Sequence, residues 1–330
     1  MYDVGVVGAG HIASAVHLPI LSNMDETRVG YVADIQRERA ERALLGYSGN
    51  PVEISGNPSA LPECAVALVA TPVGVRSEYI EEFSRRGTPV MTEKPFAPDR
   101  STHREFIAEN NRMACNYQYV NFSCTRQARS VLETALFGDL EAVDISHGLV
   151  PVSGIGPGHY RTDVELSGGG VLVESGCHGF SQIAHIFEDC SLRVTDAEIT
   201  WQESIDVEAD VHLMAETADR TVPIRYRLSM TRPLDTEFRF VFENAEVRFD
   251  HTDAESTLTV EGSGDATGLT VERDPEWAIT GKEATYLNWR AFLRELQRGD
   301  TFDVEGQTEL TVTELIAATY EQAGDRRGLG

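Results

Sequence analysis

The chain has 330 residues, 41% of them hydrophobic, which is more than one ordinary core holds and predicts two domains. Its 53 acids against 28 bases give a formal net charge of -25, and such a surface repels nucleic acid phosphates and anionic lipid, excluding both as partners. No apolar run approaches the length of a membrane span, and the five cysteines (Cys64, Cys115, Cys124, Cys177, Cys190) are odd in number with no C-x-x-C.

The first residues have neither the basic start nor the long apolar segment of a signal peptide, so a reduced, cytoplasmic protein is expected. Lys94 and Lys282 are the only lysines. An acidic, lysine-poor surface of this kind predicts a halophilic protein, because molar salt shrinks the Debye length to roughly 3 Å and removes most of the self-repulsion.

Val4-Gly5-Val6-Val7 reads as a buried strand, and Gly8-Ala9-Gly10-His11-Ile12-Ala13 follows at once as G-x-G-x-x-A. The first glycine permits a tight turn, the second lets backbone approach a pyrophosphate, and Ala13 still allows close packing of helix on strand. His11 and Ile12 open the helix that runs to about Asn23, whose unpaired N–H groups and positive dipole end suit phosphates. A second strand, Arg28 to Ala33, ends in Asp34, placed to accept from ribose hydroxyls. This constellation predicts a dinucleotide site. A carboxylate repels a 2′-phosphate, so Asp34 favours NAD, while Arg37 and Arg39 close behind leave NADP possible.

The pattern then alternates as βαβ units do. Gln36 to Leu45 is helical, Ala65 to Ala70 is a buried strand ending at Thr71-Pro72, and Val75 to Arg86 is an amphipathic helix stopped by Gly87. Pro89-Val90-Met91 runs into Thr92-Glu93-Lys94-Pro95; a helix over Ser101 to Asn110 and a strand over Met113 to Tyr117 complete a first domain over 1–121. Ligands in an open parallel sheet sit beyond the carboxyl ends of the strands, so Gly8, Asp34, Thr71 and Lys94 share one rim. Lys94 carries the more weight because the composition avoids lysine elsewhere.

Ser123 to Phe137 reads as a long helix stopped by Gly138. From Glu141 the period becomes two: Ala142, Val143 and Ile145, then Val207 to Leu213, Val222 to Met230, Phe238 to Phe242, Val247 with Phe249, and Leu258 with Val260. That alternation predicts a large antiparallel sheet with one buried face, in a second domain over 122–330. Helices over 283–298 and 308–323 close the chain and can pack back toward the first domain.

Between these lies Gly168-Gly169-Gly170-Val171-Leu172-Val173-Glu174-Ser175-Gly176-Cys177-His178. If Val171 onward is helical, Glu174 and His178 share a face, and a carboxylate beside an imidazole can handle a proton near neutral pH. A glycine-rich helix start with a surface pair is the plainer alternative. Cys177 points about 100° away from His178, which argues against a paired thiol nucleophile. Glu174, His178 and His185 lack metal-site spacing, so no metal is expected. His159, Tyr160 and Arg161 sit where a loop could reach a substrate, or could be plain surface.

Gly8 to Ala13, Ala70-Thr71-Pro72, Glu93-Lys94-Pro95 and the Gly168 to His178 stretch resemble the Gfo/Idh/MocA family, that of glucose–fructose oxidoreductase and inositol dehydrogenase. The resemblance, which extends to the closing helices, implies a Rossmann NAD(P) domain followed by a domain with a large open β-sheet. It places Gly8, Gly10, His11, Ile12, Asp34, Arg39, Thr71, Pro72, Glu93, Lys94 and Asn116 around the cofactor. It implies that His178 is the general acid/base, that Lys94 holds or relays the proton of the reacting oxygen, and that Glu174 binds a neighbouring hydroxyl, with Tyr160 and Arg161 near the substrate. The implied reaction is hydride transfer on a sugar, sugar acid or cyclitol, in a dimer or tetramer formed through the open sheet face. An NAD-dependent glycosidase and a non-catalytic nucleotide-binding regulator are the alternatives. The sequence departs from the family pattern at Glu174, usually Asp, at Ser181, often an acid, and at Val73 and Arg76, commonly Asn and His.

Overall fold

The computed structural model describes residues 1–54, 57–148, 160–217, 219–262, 269–271, 280–299, 302 and 308–324. His159 therefore lies outside the described residues. The chain divides into two compact units, Met1–Asn116 with Thr285–Glu305, and Tyr117–Ala284 with Gly306–Gly330.

In the first unit, β1 (Tyr2–Val7), β2 (Thr27–Asp34), β3 (Asn50–Glu53), β4 (Val66–Val69), β5 (Val90–Thr92) and β6 (Met113–Cys115) form a parallel sheet in the order β3-β2-β1-β4-β5-β6. The order reverses at β1, the switch point where a ligand crevice forms in this class of sheet. Both faces are covered, which is why β1 and β4 read as continuous apolar runs. Val4, Val6, Val66 and Leu68 pack with Leu18, Leu21 and Ala40. Trp289, Phe292 and Leu293, from the helix Gly281–Arg298, join the same core, so a segment far downstream in sequence completes the first unit.

The second unit is built on β7 (Leu140–Gly148), β8 (Ser191–Gln202), β9 (Ile205–Glu216), β10 (Thr221–Ser229), β11 (Glu237–Phe242), β12 (Ala245–Asp250), β13 (Leu258–Gly262) and β14 (Leu269–Val271). Their order is β14-β13-β12-β11-β7-β10-β9-β8, and every pairing is antiparallel except the parallel β7–β10 contact. Val211, Leu213, Ile224, Tyr226, Phe238, Phe240 and Val247 are buried on one face, as the period of two requires. The alternate positions carry cross-strand ion pairs, Arg225 with Asp210, Arg239 with Glu246 and Arg193 with Glu216. The helix Ser123–Thr134 ends earlier than its apolar pattern, because Ala135 takes a left-handed φ of 47°. Phe137 then packs on Phe242 at 5.9 Å.

Candidate active site

At the end of β1, Gly8 has a φ of +95°, and a Cβ there would lie 2.8 Å from the Ala70 carbonyl carbon, so strand β1 can turn only on glycine. The Ala9 N–H donates to Asp34 Oδ2 at 2.9 Å and the Gln36 N–H to Asp34 Oδ1 at 2.9 Å. The Asp34 carboxylate thus clasps the glycine loop at the end of β2. Gly10 is different: a Cβ there would meet nothing within 4 Å, so the loop backbone faces open space at the head of a helix. That is the form a pyrophosphate needs. A cavity of about 310 Å³ beside it is lined by Ala9, Ser14, Arg39, Arg42 and Tyr47 among others. The residues present fit a dinucleotide. Arg37, in contrast, is engaged with Glu41 at 2.9 Å.

Thr71 and Pro72 follow β4, Glu93 and Lys94 follow β5, and Asn116 follows β6, all on the same rim. The Arg76 guanidinium is buried there and donates to the carbonyl oxygens of Glu93 (2.6 Å), Pro95, Phe96 and Thr71 (3.0 Å). Arg76 therefore ties the turn after β4 to the turn carrying Lys94. Hydrogen bonds from a charged donor are worth about 1.5–3 kcal/mol each, so this tie is firm. The Lys94–Pro95 peptide bond is cis.

Glu93 is buried, with Oε1 accepting from Asn116 Nδ2 at 2.8 Å and lying 2.7 Å from His17 Nε2, and Oε2 accepting from the Lys94 N–H at 3.2 Å. Burial works to raise its carboxyl, but His17, Asn116 and the Lys94 charge outweigh it and hold Glu93 below the usual range. Asn116 Oδ1 in turn accepts from Asn288 Nδ2 at 2.8 Å.

In the second unit, a short helix Val164–Ser167 is capped by Asp163 and stopped by Gly168, whose φ is 76°. Gly170 N–H donates to Asp206 Oδ1 at 2.6 Å and Leu172 N–H to Asp206 Oδ2 at 2.9 Å. Tyr320 OH donates to Asp206 Oδ1 at 2.9 Å. Burial pushes the Asp206 carboxyl up, against the pull of these three donors. A Cβ on Gly170 would lie 2.0 Å from the Asp206 carbonyl oxygen, and one on Gly169 2.7 Å from the Tyr320 hydroxyl. The glycines make room for Asp206 and Tyr320.

From this anchor the chain runs as a π-helical stretch, Leu172–Gly176, into the α-helix Cys177–Ile186. Such stretches recur at functional sites, and a second one, Ala13–His17, follows the glycine loop. Glu174 Oε1 is 2.7 Å from Arg161 Nη2, and both side chains are half-buried. The Arg161 guanidinium carbon lies 5.7 Å from the centre of the Tyr160 ring. The His178 ring stacks on Tyr119 at 4.1 Å and 18°, and Tyr119 stacks on Phe122 at 4.6 Å. Ser181 Oγ donates to the His178 carbonyl at 2.7 Å, so that position is spent on its own helix. Cys177 Sγ donates to the Glu174 carbonyl, and burial pulls His185 down to about 4. No group of three His, Cys, Asp or Glu able to hold a metal occurs among the described residues, and no helix among them is long and apolar enough to cross a membrane.

The first unit thus collects Gly8, Gly10, Asp34, Arg39, Thr71, Pro72, Glu93, Lys94 and Asn116, with His11 and Ile12 at the head of the helix. The second pairs Glu174 with Arg161 beside Tyr160 and, separately, stacks His178 on Tyr119. Sequence reasoning missed His17, Trp289, Asn288, Asp206 and Tyr119 as supports of these groups, and only His17, buried on the first helix of a glycine loop, carried a local signal.

Residues 2–120 match the family described as "Oxidoreductase family, NAD-binding Rossmann fold" under the name GFO_IDH_MocA, and residues 125–248 match the GFO/IDH/MocA C-terminal domain. The chain is 29% identical over 210 residues to a dTDP-3,4-didehydro-2,6-dideoxy-alpha-D-glucose 3-reductase from Actinomadura kijaniata, covering 62% of this chain and 61% of the relative. It is 32% identical over 124 residues to an inositol 2-dehydrogenase from Streptomyces avermitilis, covering 37% of this chain and 36% of the relative. The chain thus spans about three fifths or less of these relatives' own length. Among solved structures, a 3-ketoreductase from Actinomadura kijaniata crystallised with TDP-benzene and NADP has a TM-score of 0.83 at 19% identity, covering 97% of each chain, a likeness of fold.

Proposed function

This chain belongs to the Gfo/Idh/MocA oxidoreductase family, and from that premise we propose that it is an NAD(P)-dependent oxidoreductase interconverting a hydroxyl and a keto carbon of a sugar, sugar acid or cyclitol. The observation that carries the reading is the rim of the first sheet. There Asp34 clasps the glycine loop through Ala9, Gly10 leaves its backbone open to space, and Lys94 follows β5, two strands along from β1.

A bound nicotinamide supplies the acceptor or donor of hydride; the chain supplies the rest. His178 takes or returns the hydroxyl proton, its ring plane set by the stack on Tyr119. Lys94 holds the reacting oxygen as charge develops on it. Arg161 holds the Glu174 carboxylate at 2.7 Å, and Glu174 binds a hydroxyl beside the reacting carbon. NAD is the carrier that Asp34 favours, since its carboxylate is committed at the loop and opposes a 2′-phosphate. Arg39 and Arg42, lining the cavity beside Ala9, admit NADP. The polyol and keto-sugar chemistry of the relatives supports the substrate class.

The test is the appearance or loss of reduced-nicotinamide absorbance with a panel of sugars, sugar acids and cyclitols, with NAD and NADP in parallel. Turnover is expected, and Lys94→Ala and His178→Ala should each lower kcat by about 100-fold or more. Full turnover in both variants removes these roles. Release of an aglycone without net reduced cofactor turns the reading to a glycosidase.

A further inference from the structure

Trp289 and His17 lie at the bottom of the first unit's rim with no exposed surface, and neither has a place in the chemistry above. Their contacts have a direction. The indole Nε1–H can only donate, and it donates to His17 Nδ1 at 2.9 Å. His17 Nδ1 must therefore be a bare acceptor, so the proton of the neutral ring sits on Nε2. That nitrogen faces Glu93 Oε1 at 2.7 Å and donates to it. The other tautomer would set two N–H groups against each other at Trp289 and two lone pairs against each other at Glu93. In a buried site each such mismatch leaves a donor or an acceptor unsatisfied, which disfavours that tautomer.

The amide of Asn116 is fixed from the other side. Glu93 Oε1 can only accept, so Asn116 Nδ2 donates to it at 2.8 Å, and Asn116 Oδ1 is left to accept from Asn288 Nδ2. Glu93 thus receives His17 and Asn116 on one oxygen and the Lys94 backbone N–H on the other. Trp289, on the helix Gly281–Arg298, thus decides which His17 nitrogen faces the carboxylate that holds the Lys94 backbone.

We propose that Trp289 and His17 are positioning residues for Lys94: the indole fixes the His17 tautomer, His17 with Asn116 fixes the Glu93 carboxylate, and Glu93 fixes the backbone from which the Lys94 side chain leaves the rim. The inference rests on the reading of Lys94 as a cofactor-side residue. It assigns a function to a tryptophan 195 positions downstream of that lysine, through contacts that all lie within the first unit.

The test uses the full chain and NADH as the probe, by isothermal titration. Lys94→Ala is expected to weaken binding about tenfold, Trp289→Phe and His17→Leu about three- to tenfold, and His17→Gln, which keeps one acceptor and one donor, by less than about twofold. Combined with Lys94→Ala, Trp289→Phe should cost no further affinity, because it acts through the missing side chain. Undiminished losses in that background overturn the inference and leave Lys94 its role. If Lys94→Ala alone leaves affinity unchanged, the cofactor-side reading of Lys94 falls and the positioning role with it. A second measurement needs no ligand and survives a poorly folding variant. Long-range ¹H–¹⁵N spectra of the wild type should show His17, identified by its absence in His17→Gln, protonated at Nε2 alone. A proton on Nδ1, or a mixture of tautomers, overturns the inference.

Discussion

Gly10 and Gly170 look alike in the sequence, each in a glycine-rich turn ahead of a helix, yet they serve opposite ends. A methyl group on Gly10 meets open space, whereas one on Gly170 would lie 2.0 Å from the Asp206 carbonyl oxygen. Gly170→Ala should therefore destabilise the protein by about 3 kcal/mol, the cost of forcing backbone apart in a packed interior, read as a lowered denaturation midpoint. Gly10→Ala should leave stability within about 0.5 kcal/mol and weaken NADH binding instead. Equal stability of the two variants would show that Asp206 does not crowd the second loop. The glycine pattern was legible along the chain in both places, and in the first loop so was its meaning, because strand, turn and acid are close in sequence. In the second it was not. The glycines from Gly168 permit a close approach without naming its object: Gly169 and Gly170 approach Tyr320 and Asp206, residues far away in sequence whose polarity alone gives no hint of where they point.

Strands β1, β4 and β5 stood out as apolar runs because both faces of each are covered, the half-exposed edge strand β3 did not, and β9 to β13 stood out by alternation because one face is buried. The edge strand β8 had neither mark: it is mostly exposed, and register shifts at Val194/Asp196 and Thr200/Trp201 break its period. The helix Gly281–Arg298 was legible as a helix able to pack back toward the first domain, but nothing local marked Trp289 as the side chain that enters that core. Beneath the second sheet, His251 just past β12 bonds Gln182 Oε1 through Nδ1 at 2.8 Å and meets His147 edge-on at 5.1 Å. Burial, with His147 adding to it, holds His251 down to about 3 from an ordinary 6.5, while Asp250 works the other way. Its folded value is depressed, so the unfolded chain binds a proton that the folded chain refuses throughout that window. Stability present above pH 6.5 is lost as pH falls toward 3. Denaturation at a series of pH values should show this slope between about pH 6.5 and 5, and in His251→Gln the slope should be shallower by about one proton. An unchanged slope would mean that His251 titrates normally in the folded sheet.

At the scale of the molecule, the ion pairs and the net charge pull in opposite directions. Cross-strand pairs such as Arg225 with Asp210 and helix pairs such as Arg37 with Glu41 are partly or wholly exposed, and each contributes about 0–1 kcal/mol that salt screens away. With 53 acids and 28 bases, however, even complete pairing of every base leaves a large excess of carboxylates repelling one another across the surface. The pairs are short-ranged; the excess acts between all acids at once, over the roughly 10 Å Debye length of dilute buffer. Raising salt to about 1 M shortens that length to roughly 3 Å, removing most of the repulsion while costing only the weak pairs. The thermal midpoint should therefore rise monotonically from dilute buffer to molar KCl, and NADH affinity, which brings a further anion to an acidic protein, should rise with it. A midpoint that falls with KCl would mean that the arginine pairs outweigh the excess charge, and that the acidic surface serves solubility alone.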